Sequence, residues 1–463
     1  MLFYILWILE NIKKTFAFVY IMSLSFILII KKYFMTNLNL SNKFLVIEAL
    51  LLSFIIIFSS ILYLTFYAIY TSHNQNNHKE KRDWKEFIEP SKEIEKYNGK
   101  KIPMFIFVKY YLDGKIKIKK SMMEIMENRY QLFEFTIRFE HISWFLKQFF
   151  RSMLGHGKEQ DYGEITSVYN LGNDFYSYFL GSPMIYTGGI FNNEEETIED
   201  GQNRKMKIVC ENTHMKEAKT HLDIGCGWGT LARYSQKNYG VESTGIAIAS
   251  EQIKWCNDKC KEENVNSTFK CLDYRDIGTK HKYDVITCLE MAEHVGIRNF
   301  SSFCEQVYDL LEEDGRFYLQ IAGLRRPWKF EDAIWGLFMD RYIFPGADAS
   351  CPLTFNIRQL EDAGFEIHRV ENTGTHYAIT MVKWYENWVS NKDKVIEKYG
   401  DWWWRLFEVF LSWSVMIARQ GSSTVWMITC NKNLGTDVRT DKISGKINRT
   451  KLWVGDNKIA TQQ

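Results

Sequence analysis

The chain has little proline and no paired cysteines, and each shortage excludes a class of protein. Six prolines among 463 residues exclude a proline-rich linker protein. The nine cysteines are scattered, and no two of them form a Cys-x-x-Cys pair. This spacing argues against a zinc finger and against a disulfide scaffold, so we expect no metal site and a reducing compartment.

The chain also lacks a surplus of charge of one sign. Its 58 Lys and Arg residues nearly balance 56 Asp and Glu residues, which leaves a net charge of +2. Proteins whose main role is to bind nucleic acid need a basic surplus to neutralise phosphates, so we expect no nucleic-acid partner. Aromatic residues are abundant at 16%, and such rings bury apolar ligands or lie at membrane interfaces.

Two long apolar runs lie near the N-terminus. Residues 15–30 are 16 uncharged residues between lysine pairs, and residues 49–70 are 22 uncharged residues. As helices they would reach roughly 24 Å and roughly 33 Å, and the second length crosses a bilayer core. We therefore predict a transmembrane anchor over residues 1–70 with two spans, about 15–30 and 49–70. A buried core helix is the alternative. A signal peptide fits poorly, because the second run is too long and no cleavage site follows it.

The rest of the chain divides by composition into three regions. Residues 71–159 are predicted to be a juxtamembrane linker and amphipathic region, and residues 432–463 a polar tail. In residues 160–431, short apolar runs alternate with helical patterns; strands are predicted at 283–289 and 316–322, with a turn at 312–315. This alternation predicts an α/β fold with a doubly wound, mostly parallel sheet that binds its ligand at the carboxyl ends of the strands.

A glycine-rich turn follows the first predicted strand of that region. Gly225, Gly227 and Gly229 alternate with other residues before a helix begins, and Asp223 precedes them. This spacing differs from the G-x-G-x-x-G turn of nicotinamide oxidoreductases, and Asp223 is placed to bind an ammonium group. The pattern predicts an S-adenosylmethionine (SAM) pocket, with a purely structural turn as the alternative. The predicted cofactor-binding residues are Asp223, Gly225, Cys226, Gly227, Trp228, Gly229, Thr230, Ala247, Ile248, Gln252, Tyr274 and Arg275.

Several runs match one family in order along the chain. The sequence resembles the cyclopropane-fatty-acyl-phospholipid synthase family of SAM-dependent methyltransferases at residues 169–176, 222–231, 293–296 and 375–385. Within that family it resembles the sphingolipid C9-methyltransferases, which also have two apolar N-terminal spans. That narrower resemblance is carried by residues 184–190, 288–296, 320–323, 335–339, 344–350 and 419–422.

The resemblance implies a lipid methyltransferase in a membrane. Its expected reaction moves a methyl group from SAM to C9 of an 8-unsaturated sphingoid base in ceramide or glucosylceramide, giving a 9-methyl-4,8-sphingadienine-type base. The expected location is the endoplasmic reticulum membrane, with the catalytic domain in the cytosol and the bilayer as a partner. One alternative is a cyclopropane-fatty-acyl-phospholipid synthase that acts on unsaturated acyl chains. Another is a membrane scaffold with a degenerate fold, which the intact glycines argue against.

The resemblance also implies a set of catalytic residues. The wider family uses a bound bicarbonate as its base, held by a loop N–H, a glutamate, a histidine and a tyrosine. Glutamine replaces the histidine in this chain, and it can hydrogen-bond an anion but cannot carry a proton. His294 joins the catalytic set, while Tyr186 and Thr187 match the loop over SAM. The four bicarbonate positions fall at Gly188, Glu293, Gln320 and Tyr377.

Overall fold

The computed structural model describes residues 80–138, 141, 144, 163, 171–326, 329–347 and 349–433. Both apolar runs predicted to span a membrane lie outside the described residues. So do residues 71–79, the first two residues of the 169–176 motif, and the predicted tail from residue 434 onwards. Within the described ranges, no helix combines the length and the apolar character needed to cross a bilayer.

Nine strands and thirteen α-helices form in the described part of the chain. The strands are β1 (Ile102–Pro103), β2 (Phe133–Glu134), β3 (Thr220–Ile224), β4 (Glu242–Ala247), β5 (Thr268–Cys271), β6 (Tyr283–Leu289), β7 (Leu311–Leu324), β8 (Phe365–Asn372) and β9 (Ser423–Lys432). The helices are α1 (Met104–Leu112), α2 (Met122–Glu127), α3 (Arg129–Leu132), α4 (Asn173–Leu180), α5 (Ile198–Asn212), α6 (Thr230–Tyr239), α7 (Ser250–Glu263), α8 (Phe300–Leu310), α9 (Phe330–Tyr342), α10 (Leu353–Asp362), α11 (Gly374–Ser390), α12 (Lys392–Tyr399) and α13 (Asp401–Arg419).

The chain forms two compact units, and the first combines three separated segments. Of the described residues it contains 80–138, 141, 144, 329–343 and 394–416. A buried carboxylate joins these segments: Glu331 of α9 accepts hydrogen bonds from Arg129 Nε at 2.6 Å and from Trp413 Nε1 at 3.2 Å. Residues 329–343 and 394–416 therefore interrupt the region 160–431, which the sequence predicts as one continuous domain. A helical pattern in sequence does not reveal which unit its apolar face packs against.

The second unit is built on a seven-stranded mixed sheet. Its strand order is β5-β4-β3-β6-β7-β9-β8. The five strands from β5 to β7 are parallel, whereas β9 runs antiparallel to both of its neighbours. The predicted α/β fold with a mostly parallel sheet is confirmed, because strand and helix alternate along the five parallel strands.

Apolar side chains of the central strands alternate between the two faces of this sheet. Ile286 of β6 and Phe317 of β7 belong to a core cluster that includes residues of α8 and α10. Their chain neighbours Val285 and Tyr318 belong to a second cluster, which includes residues of α5 and α6. Because successive strand residues point to opposite faces, helices cover the sheet on both sides, as in a doubly wound fold.

Candidate active site

An open pocket lies at the carboxyl ends of the parallel strands, where the predicted fold expects its ligand. The loop after β3, the residues after β4 and β5, and the segment after β6 all contribute to its wall. All but one of the predicted cofactor-binding residues line it. They are Tyr186, Thr187, Asp223, Gly225, Cys226, Gly227, Trp228, Thr230, Ala247, Ile248, Gln252, Tyr274 and Arg275.

The three loop glycines are required for different reasons, although all have positive φ. A Cβ on Gly225 would lie 2.4 Å from Met291 Cγ, and one on Gly229 would lie 2.5 Å from Phe269 Cε1. A Cβ on Gly227 would meet no described atom within 4 Å. Gly229 is the one predicted cofactor-binding residue that does not line the pocket. It packs against Phe269 behind the loop, at the start of α6. Gly227 alone leaves open space that a ligand can fill.

Asp223 is a buried acid in the pocket wall. It accepts a hydrogen bond from Thr287 Oγ1 at 2.7 Å, and Thr287 in turn lies 2.9 Å from His221 Nε2. Burial raises the pKa of Asp223 to about 6, while the bond from Thr287 and the charge of Lys205 oppose that rise. Burial also lowers the pKa of His221 to about 3, so the imidazole is neutral and donates from Nε2. This chain of bonds holds the Asp223 carboxylate in place.

Lys205 of α5 is a buried cation that the sequence did not single out. Only 1% of the residue is exposed, and it lines the pocket. Its ammonium donates a hydrogen bond to Thr187 Oγ1. Burial lowers the pKa of Lys205 to about 8, and the charges of Glu290 and Asp223 oppose that shift. Lys205 is therefore a buried cation that interacts with two carboxylates of the pocket wall, Asp223 and Glu290.

Three of the four positions assigned to the bound anion converge on Glu290, the residue directly after β6. The backbone N–H of Gly188 donates to Glu290 Oε1 at 2.9 Å, and Gln320 Nε2 donates to the same oxygen at 2.6 Å. The Tyr377 side chain is also hydrogen-bonded to this carboxylate. Glu290 lines the pocket, so this cluster meets the space next to the glycine loop.

Glu293, the fourth position, lies apart from those donors. Its Oε1 accepts a hydrogen bond from the backbone N–H of Ala322 at 2.6 Å, and its buried Oε2 has no partner among the described residues. Burial, followed by the negative charge of Glu290, raises the pKa of Glu293 to about 8. The resemblance grouped Glu293 with Gly188, Gln320 and Tyr377, whereas the structure places Glu290 there and leaves Glu293 outside the pocket wall.

A cluster of aromatic rings packs around Tyr186 and His294, which both line the pocket. The His294 ring lies edge-on to Phe344, the centroids 5.9 Å apart. Tyr186 lies at the centre of the aromatic cluster, which consists of Tyr176, Phe179, Tyr186, Phe344 and Trp384. Its ring centroid is 5.4 Å from that of Trp384. Such rings exclude water and present electron-rich faces to a positive charge.

Comparison with known proteins agrees with this geometry. The family model for mycolic acid cyclopropane synthetase matches residues 156–428. A sphingolipid C9-methyltransferase of Komagataella phaffii is 44% identical over 378 residues, which are 78% of this chain and 77% of that protein. The chain belongs to the sphingolipid C9-methyltransferases within that family. Another member, the cyclopropane-fatty-acyl-phospholipid synthase of Escherichia coli, is 29% identical over 277 residues, covering 58% of this methyltransferase and 68% of the synthase.

A solved structure confirms the fold class. A mycolic acid cyclopropane synthase crystallised with SAH and CTAB superposes with a TM-score of 0.56 at 22% identity, covering 58% of this methyltransferase and 98% of that chain. The second unit thus has the class I fold of SAM-dependent methyltransferases. Its pocket residues also fit SAM chemically. Asp223 suits an ammonium group, Lys205 suits a carboxylate, and Gly227 leaves space for the ligand.

Proposed function

We propose that this protein transfers the methyl group of SAM to C9 of an 8-unsaturated sphingoid base in ceramide or glucosylceramide. The product is a 9-methyl-4,8-sphingadienine-type base. The proposal rests on the 44% identity to a sphingolipid C9-methyltransferase over 77% of that protein's length. The catalytic set supports it, because Glu290 with its donors and Tyr186 of the aromatic cluster both line one SAM-type pocket.

The reaction first requires accurate positioning. SAM supplies a methyl group bound to a sulfonium sulfur, which the π electrons of an alkene can attack. An alkene is a weak nucleophile, so the protein must hold both reactants in line. Asp223 would bind the ammonium of the amino-acid end, and Lys205 with the N-terminal N–H groups of α6 would bind its carboxylate. The open space at Gly227 lets the backbone approach this ligand closely.

The second requirement is control of a positive charge on the lipid. Methylation at C9 leaves an electron-deficient C8, which water would trap. The ring of Tyr186, which lines the pocket and packs on Trp384, excludes water and stabilises a cation through its π face. The negative carboxylate of Glu290 adds to this stabilisation. Loss of the C9 proton then restores the double bond with a methyl branch.

The test is an assay of the full chain in membranes with SAM and an 8-unsaturated ceramide or glucosylceramide. We expect a product that gains one CH₂ and still cleaves at the double bond between C8 and C9. A cyclopropane would gain the same CH₂ but resist cleavage between C8 and C9, so cleavage at that position distinguishes the two reactions. The matched 8-saturated ceramide should give no product. A cyclopropane product, or methylation of unsaturated phospholipid alone, would contradict the proposal.

We further propose that the protein lies in the endoplasmic reticulum membrane, with two spans and a cytosolic catalytic domain. The 22-residue apolar run at 49–70 and the lipid substrate support this placement, and SAM is made in the cytosol. Protease added to sealed microsomes should digest both a tag at Met1 and the catalytic domain. A tag that is reached only from the lumen would contradict two spans. Extraction of the protein by alkaline carbonate would contradict an integral anchor.

A further inference from the structure

The Glu290 carboxylate already uses the donors that the wider family assigns to bicarbonate. Gly188 N–H and Gln320 Nε2 both donate to Oε1, and Tyr377 bonds the same group. The donors are also closely packed, since a Cβ on Gly188 would lie 2.8 Å from Tyr377 Cδ2 and 3.8 Å from Glu290 Oε1. A bicarbonate here would lack these donors and would face a carboxylate. The residues present therefore do not fit a bound bicarbonate.

The backbone holds Glu290 in this position. Its φ is +52°, in the left-handed region that side chains other than glycine rarely adopt. Its N–H donates to the carbonyl of Gln320 at 2.7 Å. Such a conformation persists only where the surroundings enforce it, and it is concentrated at functional sites. Here it turns an acid at the end of a buried strand towards the pocket.

The electrostatic surroundings distinguish the two neighbouring acids. Burial raises the pKa of Glu290, while its hydrogen-bond donors and the buried ammonium of Lys205 oppose that rise and favour the charged form. Glu293 accepts a hydrogen bond from the Ala322 N–H, and burial together with the charge of Glu290 raises its pKa. Two acids this close do not both ionise readily. Of the two, Glu290 has the donors and the cation that stabilise a carboxylate, and it borders the pocket.

We propose that Glu290 is the general base of the reaction and that its carboxylate replaces bicarbonate. This assignment rests on the proposed C9-methylation. After methyl transfer, the C9–H bond breaks and its electron pair re-forms the C8–C9 double bond. The proton passes to a carboxylate oxygen of Glu290, which becomes neutral as the charge on C8 is quenched. Gln320 and Tyr377 are positioning residues, because they hold the carboxylate through hydrogen bonds.

The first test uses the unaltered full chain. Methyl transfer from labelled SAM to lipid is measured in carbonate-free buffer and again with millimolar bicarbonate, and we expect equal rates. Equilibrium dialysis with labelled bicarbonate in sealed cells should show no stoichiometric binding. A rate that requires bicarbonate, or stoichiometric binding of it, overturns the proposal without reference to any variant.

The second test compares the two acids. Glu290→Gln preserves the shape of the side chain but removes the base, so methyl transfer should fall at least ~100-fold while SAM affinity stays nearly unchanged. Glu293→Gln is the matched variant of the neighbouring acid. A larger loss of methyl transfer in Glu293→Gln than in Glu290→Gln overturns the proposal. In Glu290→Ala the three donors are released, so bicarbonate or formate should bind and restore part of the activity. Absence of both binding and rescue in a variant that still binds SAM contradicts the assignment.

The readouts separate this proposal from the proposed function. Total label in lipid is counted whatever its structure, and double-bond cleavage is measured separately. A cyclopropane product would contradict C9-methylation. The effect of bicarbonate on the rate, and the comparison of Glu290→Gln with Glu293→Gln, would still show which group acts as the base. If either variant fails to bind SAM, the measurements on the unaltered chain decide.

Discussion

Glu290 and Gln320 are joined by two hydrogen bonds. The backbone N–H of Glu290 donates to the Gln320 carbonyl at 2.7 Å, and the Gln320 side-chain amide donates back to Glu290 Oε1 at 2.6 Å. Gln320 is fully buried in β7, and Glu290 directly follows the adjacent β6. The sheet therefore supports the base directly, and a change at position 320 acts through the Glu290 carboxylate.

Gln320→Leu removes the side-chain donor at nearly constant volume. A hydrogen bond to a charged group contributes about 1.5–3 kcal/mol, so we expect turnover to fall roughly 10- to 100-fold with little change in SAM affinity. Gln320→His, which restores a donor, should retain more activity than Gln320→Leu. Steady-state kinetics and SAM calorimetry check both variants. Equal activity of Gln320→Leu and the unaltered enzyme would show that this bond does not position the base.

Gly227→Val tests the glycine loop as the SAM site. A Cβ here would meet no described protein atom within 4 Å, so the new side chain is opposed by the cofactor and by the strain of a φ of +53°. We expect SAM binding to be lost in calorimetry while the protein still reaches the membrane. Gly229→Ala is the matched comparison, because its Cβ meets Phe269 and should lower thermal stability more than it weakens SAM binding. Unchanged SAM affinity in Gly227→Val would remove the loop from the site.

Lys205→Met should shift the pH dependence of kcat/KM. The groups facing Glu290 are Lys205, Tyr377 and Glu293, and the positive charge of Lys205 lowers the pKa of Glu290. Its removal raises that pKa, and a base works only above its pKa, so the acidic limb moves to higher pH. The loss should therefore be larger at pH 6 than at pH 8. Lys205→Arg retains the charge, so the acidic limb of its kcat/KM profile should stay at the same pH. An acidic limb that does not shift in Lys205→Met would contradict the role of Lys205 in lowering the pKa of Glu290.

Glu293→Gln should make stability less sensitive to pH. The pKa of Glu293 is about 8 in the folded protein against 4.5 for an ordinary glutamate, so the folded state holds the proton more tightly. The stability that this proton provides is complete below pH 4.5 and is lost as pH rises towards 8. Glutamine does not ionise, so the Tm of the variant relative to the unaltered protein should rise by a few degrees between pH 5 and pH 8. Thermal scans at both pH values measure it, and a constant difference would contradict burial of an ionisable group.

Strand positions were well predicted where an apolar run had clear ends. The strand predicted at 283–289 is confirmed as β6 with the same bounds. The turn predicted at 312–315 instead lies within β7: Tyr283 pairs with Leu311 and Val285 pairs with Arg316, so the residues between bulge from the ladder. Polar residues and a glycine suit a bulge as well as a turn, and only the pairing partner distinguishes the two.

The sequence predicts the part of the site whose residues are contiguous in the chain. It predicts less of the part whose residues come from separate segments that only the fold brings together. The spacing of the glycine loop identifies it, whereas the family resemblance points to the Glu-His pair at 293–294 and not to Glu290. An acid placed directly after a buried strand was the available signal. Lys205 lies on the buried stripe of α5 with Ile198, Gln202 and Val209, at helical spacing. A charged residue inside such a stripe indicates a buried partner, which the sequence alone does not identify.

The position of β9 has a consequence for how the enzyme is synthesised. Residues 423–432 insert between β7 and β8, and Met427 pairs with Gln320 itself. Until the ribosome has released this segment, β7 pairs only with β6, and its other edge and that of β8 stay open. Open edges attract other chains, so the nascent protein passes through an aggregation-prone stage. Catalytic competence therefore arises only after residues 423–432 have left the ribosome, well after the N-terminal apolar runs have done so.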